Sequence, residues 1–263
     1  MREDSAIVVT ALSVTPVKGM RVVDVPELTL DASGAPDNRR FYVVDDRARM
    51  VNGKAVGELQ AVVADYRHAE RTLALTFPGG AVVSGTVELG GPIDTRFFSR
   101  PAQARPLLGA WADALSEHTG RPLRLVESVG RAGVDRGRAS GVSLISRASL
   151  DGLAQVAEAG ELDSRRFRML IEIDGVAAHA EDAWIGRKAR VGTALVRLGG
   201  HVGRCLITSR HPESGVVDLP TLDLLRSYRG DLDLTEPLPF GVYGKVLEGG
   251  RVAVGDAVQL AGR

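Results

Sequence analysis

Cys205 is the only cysteine in this 263-residue chain, and it is the residue whose chemistry is easiest to predict. Arg204 precedes it directly, and Arg210 follows it by five positions. Neighbouring cations favour the thiolate form of a cysteine, and a thiolate is a soft ligand for metals that prefer sulfur. A single cysteine in an apolar strand is also often a small buried hydrophobic residue. The segment therefore predicts a metal-binding thiol, with simple packing as the alternative.

The composition limits what this thiol can do. One cysteine excludes an intramolecular disulfide, an iron–sulfur cluster held by about four cysteines, and a cysteine-rich zinc site. His201 lies four positions before the thiol, but in a strand it would be too far away to share a zinc ion with it. An unpaired thiol is typical of a reducing compartment. We therefore predict a cytoplasmic location.

Charge and hydropathy argue against two classes of partner. Lys and Arg together number 33, as do Asp and Glu, so the formal net charge is zero. No basic excess indicates nucleic acid, and no basic amphipathic tail indicates a membrane surface. The polar residues 1–6 do not resemble a secretory signal, and no apolar run approaches the roughly 20 residues of a membrane helix. We expect neither nucleic acid nor a membrane as a partner.

The common catalytic signatures are missing from the sequence. It contains no Gly-x-x-x-x-Gly-Lys-Ser/Thr phosphate loop and no Gly-x-Gly-x-x-Gly after a predicted strand. It also lacks a Gly-x-Ser-x-Gly nucleophile elbow and a His-Glu-x-x-His zinc motif. NTPases, dinucleotide-binding dehydrogenases, α/β-hydrolases and zincins are therefore disfavoured, and attention stays on Cys205.

The elements that would position Cys205 are mostly short strands. Leu73, Leu75 and Phe77 alternate with other residues, which predicts a strand with one buried face. Two prolines within 96–106 predict a connector, and a helix over 107–117 would follow it. The fold class predicted is mostly β (α+β) with a barrel-like architecture. Other predicted elements are strands over 7–17, 22–30, 40–44, 81–89, 121–126, 167–173, 189–198 and 202–208, helices over 146–159 and 219–228, and a hairpin over 241–260.

The cysteine segment resembles the signature of a known family. Residues 203–208 read Gly-Arg-Cys-Leu-Ile-Thr, and residues 212–215 read Pro-Glu-Ser-Gly. Together they are similar to the Arg-Cys…Thr…Pro-x-Thr-Gly signature of the MOSC domain. Residues 14–19, Val-Thr-Pro-Val-Lys-Gly, resemble the opening of the MOSC N-terminal β-barrel domain. Further stretches that agree in the same order are 38–45, 166–168, 181–186, 240–243 and 249–256.

This resemblance implies an arrangement and an activity. It implies a MOSC N-terminal β-barrel domain over 1–100 and a MOSC domain over 107–263. Two-part MOSC proteins are similar to the amidoxime-reducing components, which implies a molybdenum-cofactor oxidoreductase acting on small N-hydroxylated substrates. Since one cysteine cannot hold an iron–sulfur cluster, a separate electron donor is expected, either a flavoprotein or a ferredoxin.

The resemblance also implies roles for individual residues. Cys205 would be the protein ligand to molybdenum held by molybdopterin, and therefore the catalytic centre. The pterin carries a phosphate, which needs cations and N–H donors. Trp184 would belong to the core, and Glu181 would be an internal partner of an arginine. The residues implied as cofactor contacts are Lys18, Arg39, Arg166, Arg168, Arg204, Thr208 and Ser209.

Several positions depart from the family pattern, and these departures, together with the sulfurase ancestry of the MOSC domain, leave two alternatives open. Gly19 stands where serine is usual, Asn38 where aspartate is usual, and Met169-Leu170 where Pro-Asn is common. In the first alternative the protein is a sulfur or cofactor carrier that uses a Cys205 persulfide. In the second it is a degenerate MOSC module that binds without catalysis.

Overall fold

The computed structural model describes residues 6–129, 141–230, 232 and 236–261. Strands dominate this part of the chain, which confirms the predicted mostly β, α+β fold class. The strands are β1 Val8–Val14, β2 Val23–Asp24, β3 Glu27–Leu30, β4 Phe41–Val44, β5 Met50–Val51, β6 Val63–Arg67, β7 Thr72–Thr76, β8 Val82–Thr86, β9 Glu88–Leu89, β10 Ile93–Phe97, β11 Arg100–Leu108, β12 Arg124–Ser128, β13 Val142–Ser146, β14 Ile171–Asp174, β15 Lys188–Val191, β16 Ala194–Gly203, β17 Pro239–Glu248, β18 Gly250–Ala253 and β19 Val258–Ala261.

Three α-helices and several single turns of 3-10 helix complete the described elements. Ser146 caps α2, because its side chain accepts a hydrogen bond from the Ser149 amide. None of these helices is long and apolar enough to span a membrane. The helices are α1 Trp111–Thr119, α2 Arg147–Val156 and α3 Thr221–Arg229, and the 3-10 turns cover Gly57–Ala61, Ser164–Phe167, Ala180–Trp184 and Leu206–Ser209.

The larger sheet has eight strands and curls back on itself. Its order is β19-β15-β16-β17-β13-β14-β1-β2, and its strands pair antiparallel except β13 with β14. The Val9 amide donates to the Asp256 carbonyl at 2.9 Å, so β1 meets the segment that leads into β19. Buried Val, Leu and Ile side chains fill the space that the curled sheet encloses. Apolar burial of this kind is the main stabilising contribution to such a core.

The first half of the chain builds a second apolar core. One sheet follows the order β10-β11-β12-β4-β5, and β6, β7 and β8 form a three-stranded sheet beside it. Leu73 and Leu75 are both fully buried, as the alternation along β7 predicts. Trp111 and Leu115 of α1 cover the same core.

Segments of the two predicted domains share their pairing partners. β1 lies in the larger sheet beside β14, whereas β12 pairs with β4 of the first half. β3 pairs with β18, close to the end of the described chain. The two halves are therefore interlocked. The division into domains over 1–100 and 107–263 stays a prediction.

The segment predicted as a connector, 96–106, is instead part of a hairpin. β10 and β11 pair antiparallel, with Phe97 opposite Arg100. Proline removes one N–H donor but keeps its carbonyl, and Pro106 accepts from the Gly90 amide at 2.8 Å. Because β11 continues to Leu108, α1 begins at Trp111 and not at residue 107, and Gly120 ends it as predicted.

Two strands predicted near the cysteine are also wrong in detail. The segment 189–198 is not one strand, because Gly192, with φ +55°, turns the chain between β15 and β16. The segment 202–208 leaves the extended conformation after Gly203 and forms the 3-10 turn Leu206–Ser209. Tertiary pairing decided where each of these strands ends, and local β propensity does not show that point.

The hairpin predicted over 241–260 does not form. β17 pairs with β16 and β13, whereas β18 pairs with β3. Val252 of β18 is fully buried in the larger core together with Leu30 of β3. Burial of these two side chains fixes the long-range pairing in place of the local one.

Candidate cofactor site

Cys205 lies just after β16, at the start of a short turn. Its backbone is extended, with φ −139° and ψ 173°, and it precedes the 3-10 turn Leu206–Ser209. Its carbonyl accepts hydrogen bonds from both the amide and the hydroxyl of Thr208, each at 3.0 Å. These bonds fix the main chain while the side chain is exposed. The alternative of a buried structural cysteine is therefore wrong.

Arg204 anchors the segment that carries this thiol. Its side chain is buried, and its guanidinium donates to the Phe167 carbonyl at 2.8 Å and to the Phe240 carbonyl. It also contacts the Met169 sulfur at 3.0 Å and lies 5.5 Å from the centre of the Phe167 ring. Arg204 thus joins the cysteine segment to the Arg-Phe-Arg segment, residues 166–168, which lies 36 to 38 positions before Arg204 in the sequence.

A cleft of about 300 Å³ opens beside Cys205 and takes residues from both halves of the chain. The described residues that line it include five cations and no aspartate or glutamate. In a chain with no net charge, this concentration makes the cleft an anion-attracting site. The five cations are Lys18, Arg39, Lys54, Arg168 and Arg204.

Arg39 and Arg168 hold the two halves together at the cleft. The Arg39 guanidinium donates to the Arg168 carbonyl at 2.9 Å, and the Arg168 guanidinium donates to the Met20 carbonyl at 2.8 Å. Both arginines have a positive φ, +54° and +55°. Tertiary contacts maintain this uncommon conformation.

The departure at Gly19 has a structural reason, whereas the contact seen for Asn38 is one that aspartate could also make. Gly19 has φ +95°, and a Cβ at this position would lie 3.1 Å from the Gly53 amide nitrogen. Glycine therefore allows the loop after Lys18 to approach residue 53 closely. The Asn38 side chain accepts a hydrogen bond from the Thr15 amide at 3.1 Å, which fixes the start of the same loop.

The structure brings most of the predicted cofactor contacts together, with two exceptions. Arg166 does not line the cleft; its buried guanidinium binds both carboxylate oxygens of Asp218, at 2.7 and 2.8 Å. Ser209 is buried outside the cleft lining, and its carbonyl accepts from the Asp218 amide at 3.1 Å. The predicted contacts that do line the cleft are Lys18, Arg39, Arg168, Arg204 and Thr208.

The Arg166–Asp218 pair also sets the charge state of its carboxylate. Burial by itself would raise the pKa of Asp218, but the hydrogen bonds and charge of Arg166 hold that pKa below its ordinary value. Arg166 additionally donates to the Thr208 and Arg210 carbonyls, at 3.2 and 2.9 Å. The pair therefore braces the main chain behind the cysteine turn.

The Glu-x-x-Trp element lies in the protein interior. Trp184 is buried in the larger core, as predicted. Glu181 is fully buried, and one carboxylate oxygen accepts from the Ser146 amide at 3.1 Å and the Ser149 hydroxyl at 2.7 Å. These bonds differ from the arginine pairing predicted for Glu181.

Sequence reasoning missed several residues of the cleft. Lys54 carried no signal, because an isolated lysine in a loop is usually solvated surface. Phe98 lay in a segment predicted to be a connector, yet it lines the cleft from the turn between β10 and β11. Within residues 6–129, 141–230, 232 and 236–261, no three His, Cys, Asp or Glu side chains are grouped to hold a metal. A metal at Cys205 would therefore need most of its ligands from elsewhere.

Comparison with known proteins identifies the family of this chain. The sequence profile of the MOSC domain matches residues 131–259, and that of the MOSC N-terminal beta barrel domain matches residues 6–118. The chain belongs to the MOSC family. This MOSC protein is 29% identical to "Mitochondrial amidoxime-reducing component 1" from Xenopus laevis, over 95% of this chain and 81% of the relative. The resemblance predicted from the motifs is confirmed.

Two solved structures show a weaker likeness. The YUAD protein from Bacillus subtilis has a TM-score of 0.45 and 11% identity, over 97% of this MOSC protein and 95% of its own chain. YiiM from Geobacillus stearothermophilus has a TM-score of 0.37 and 18% identity, over 53% and 68%.

Proposed function

We propose that this MOSC protein binds a molybdenum cofactor through Cys205 and reduces N-hydroxylated compounds with electrons from a separate protein. The observation that carries the proposal is an exposed thiol in a 300 Å³ cleft whose described lining has five cations and no carboxylate. The 29% identity to an amidoxime-reducing component supports the choice of substrate class.

The residues of the cleft fit such a cofactor. A pterin that carries a phosphate is an anion, and guanidinium and ammonium groups are its natural partners. Lys18, Arg39 and Arg168 would hold the phosphate and pterin, and Cys205 would supply the single protein ligand to the metal. When bound, the cofactor supplies the two-electron redox chemistry of the reaction.

The remaining contacts of the cysteine segment would position the thiol. Arg204 fixes the main chain before Cys205 through the Phe167 and Phe240 carbonyls. Thr208 fixes the main chain after it through two bonds to the Cys205 carbonyl. A metal ligand held from both sides has little freedom to move, which favours one coordination geometry.

Electrons would come from another protein. The 263 residues contain one cysteine, which is assigned to the metal, so they cannot also bind an iron–sulfur cluster. A flavoprotein or a ferredoxin is the proposed donor. The cytoplasmic location stays a prediction.

Metal analysis of the purified protein tests the proposal. The protein is expressed in a host that makes molybdenum cofactor, and molybdenum and pterin are assayed together. We expect near-stoichiometric amounts of both in the wild type and in Lys245→Gln, an exposed control on β17. Cys205→Ser should lose the metal, and its melting temperature should match that of cofactor-free wild type, because the residue is exposed.

Two outcomes would contradict the cofactor assignment. One is stoichiometric molybdenum in Cys205→Ser. The other is absence of both metal and pterin from wild type made in a host shown to load a related enzyme.

A carrier function remains the second candidate, because the single thiol is exposed. A Cys205 persulfide would be detected as the mass of one extra sulfur atom on the intact protein. That mass should appear after incubation with a donor persulfide, which passes its outer sulfur to the Cys205 thiolate and leaves as a thiol, and it should be absent from Cys205→Ser. The structural reason found for Gly19 weakens the case for a degenerate module.

A further inference from the structure

Phe98 carries an aromatic side chain at a backbone position that favours glycine. It is the first of two residues, Phe98 and Ser99, that join β10 to β11, and its φ is +54°. Positive-φ positions in such turns are usually taken by Gly, Asn or Asp, because a Cβ is crowded there. A bulky residue kept in this conformation points to a function of its side chain.

The Phe98 ring is supported on one side and accessible on the other. It is 54% exposed although it lines the cleft. Its centre lies 5.1 Å from the centre of the buried Phe97 ring, with an angle of 83° between the planes. Phe97 in turn packs against Tyr42 at 5.3 Å. The buried pair therefore holds an aromatic surface in place at the mouth of the cleft.

Two ammonium groups lie over this ring. Nζ of Lys18 is 5.6 Å from the ring centre of Phe98, and Nζ of Lys54 is 5.7 Å from it. These are cation–π distances. The main chain at Lys54 is fixed, because Arg210 donates to its carbonyl at 2.9 Å. Arg210 follows the cysteine turn, so the ring, the ammonium group and Cys205 belong to one connected site.

We propose that Phe98 and Lys54 form a substrate subsite that selects planar aromatic molecules carrying an anionic group. The inference rests on the proposed reductase function, because it specifies the class of N-hydroxylated substrate. The aryl group stacks on Phe98, since offset stacking between aromatic rings is favourable. The anionic group binds the ammonium of exposed Lys54, while Arg39 and Arg168 are the residues proposed above to hold the cofactor.

Binding measurements test the subsite without turnover. The full chain, loaded with cofactor, is titrated calorimetrically with 2-naphthoate, neutral 2-naphthamide and cyclohexanecarboxylate. We expect 2-naphthoate to bind best, because it alone offers both the aromatic ring and the charge. Lys54→Gln should weaken 2-naphthoate binding by about three-fold or more and leave 2-naphthamide unchanged.

The ring is tested by variants that suit the turn. Phe98→Gly should weaken both naphthyl ligands by about ten-fold and spare cyclohexanecarboxylate. The melting temperature of Phe98→Gly should be no lower than that of the wild type, since glycine accepts positive φ. Phe98→Tyr should retain binding of both naphthyl ligands. Lys245→Gln serves as the control for loss of one exposed lysine.

Other outcomes would overturn the inference. It fails if neither Lys54→Gln nor Phe98→Gly changes 2-naphthoate affinity, or if cyclohexanecarboxylate binds as well as 2-naphthoate. It also fails if 2-naphthoate binds only to protein made in a cofactor-free host. The naphthyl ring would then occupy the cofactor's own site and not a separate substrate subsite.

Kinetics separate this inference from the proposed function. With reductase activity, the ratio of kcat/KM for 4-carboxybenzamidoxime to that for benzamidoxime should exceed one and fall toward one in Lys54→Gln. Activity with an unchanged ratio would overturn the subsite and leave the reductase function intact. No activity with either compound, together with the expected calorimetric pattern, would overturn the reductase function and retain the ligand class.

Discussion

The guanidinium of Arg39 donates to the backbone carbonyl of Arg168 at 2.9 Å, across 129 positions of sequence. Each arginine belongs to a different family motif, and both line the cleft beside Cys205. The hydrogen bond therefore connects the first half of the chain to the Arg-Phe-Arg segment at the place where a cofactor would bind. The stability of the fold and the shape of the cleft therefore both depend on Arg39.

Replacing Arg39 should reduce both stability and cofactor content. Arg39→Ala removes a hydrogen bond from a charged donor, which should lower the free energy of unfolding by about 1–2 kcal/mol. Urea unfolding followed by tryptophan fluorescence measures this change, and metal analysis measures retention. Arg47→Ala, which removes an exposed arginine, is the control. Equal stability and equal cofactor content in the two variants would contradict the prediction.

Arg204 should matter more for stability than any exposed arginine. Arg204→Ala removes the guanidinium that donates to the Phe167 and Phe240 carbonyls, and these two buried acceptors lose that hydrogen bond. We expect a loss of at least about 2 kcal/mol in the free energy of unfolding, measured by urea titration. Arg197→Ala, which changes an exposed arginine on the preceding strand β16, should lose less than about 0.5 kcal/mol. Similar losses in both variants would show that Arg204 is not a brace.

The close approach of Gly215 to Gly57 should make a methyl group costly. A Cβ at Gly215 would lie 1.9 Å from the Gly57 carbonyl oxygen, and φ is +72°. Gly79 has a similar φ of +88° but no atom within 4 Å of its added Cβ. Gly79→Ala should therefore lower the free energy of unfolding only by the backbone strain, about 1 kcal/mol.

Gly215→Ala should cost that strain and a further 1–3 kcal/mol or so for the steric overlap. Thermal unfolding of the two variants side by side isolates the overlap. If both variants lose the same stability, the loop after Cys205 is free to move away from Gly57.

His179 should make stability depend on pH. Burial lowers the pKa of His179 below its ordinary value of 6.5, and the positive charge of Arg229 lowers it further. The unfolded chain then binds the proton more tightly than the folded chain. The free energy of unfolding should therefore be greatest above about pH 6.5 and fall as pH decreases from there through the folded-state pKa.

Urea unfolding at a series of pH values measures this dependence. His179→Gln, which can keep a hydrogen bond to the Tyr228 hydroxyl now at 2.8 Å, should reduce the slope in that window. An unchanged slope in His179→Gln would contradict the prediction.

Local sequence was sufficient for the fold class and for the family. The alternation along β7 requires one buried face, and both Leu73 and Leu75 are buried. Gly120 ends α1 with a left-handed conformation, because glycine has no Cβ to oppose it. Several short stretches, each weak by itself, were together sufficient for the MOSC assignment because they occur in the right order.

Tertiary structure decided which strands pair. β18 pairs with β3 and not with β17, its neighbour in sequence. Residues 96–106 form part of a hairpin although they include two prolines. These pairings depend on apolar burial between segments far apart in sequence, such as Val252 beside Leu30 in one core. A local pattern holds no information about that partner.

The same distinction applies to the site. Sequence alone indicated Cys205 and its basic neighbours, because a lone thiol among cations has recognisable chemistry. Only the folded chain separated Arg166, which binds Asp218, from Arg168 in the cleft, although two positions divide them. Only the folded chain placed Lys54 and Phe98 beside Lys18. The direction of a side chain depends on main-chain geometry and distant packing, which no stretch of sequence fixes by itself.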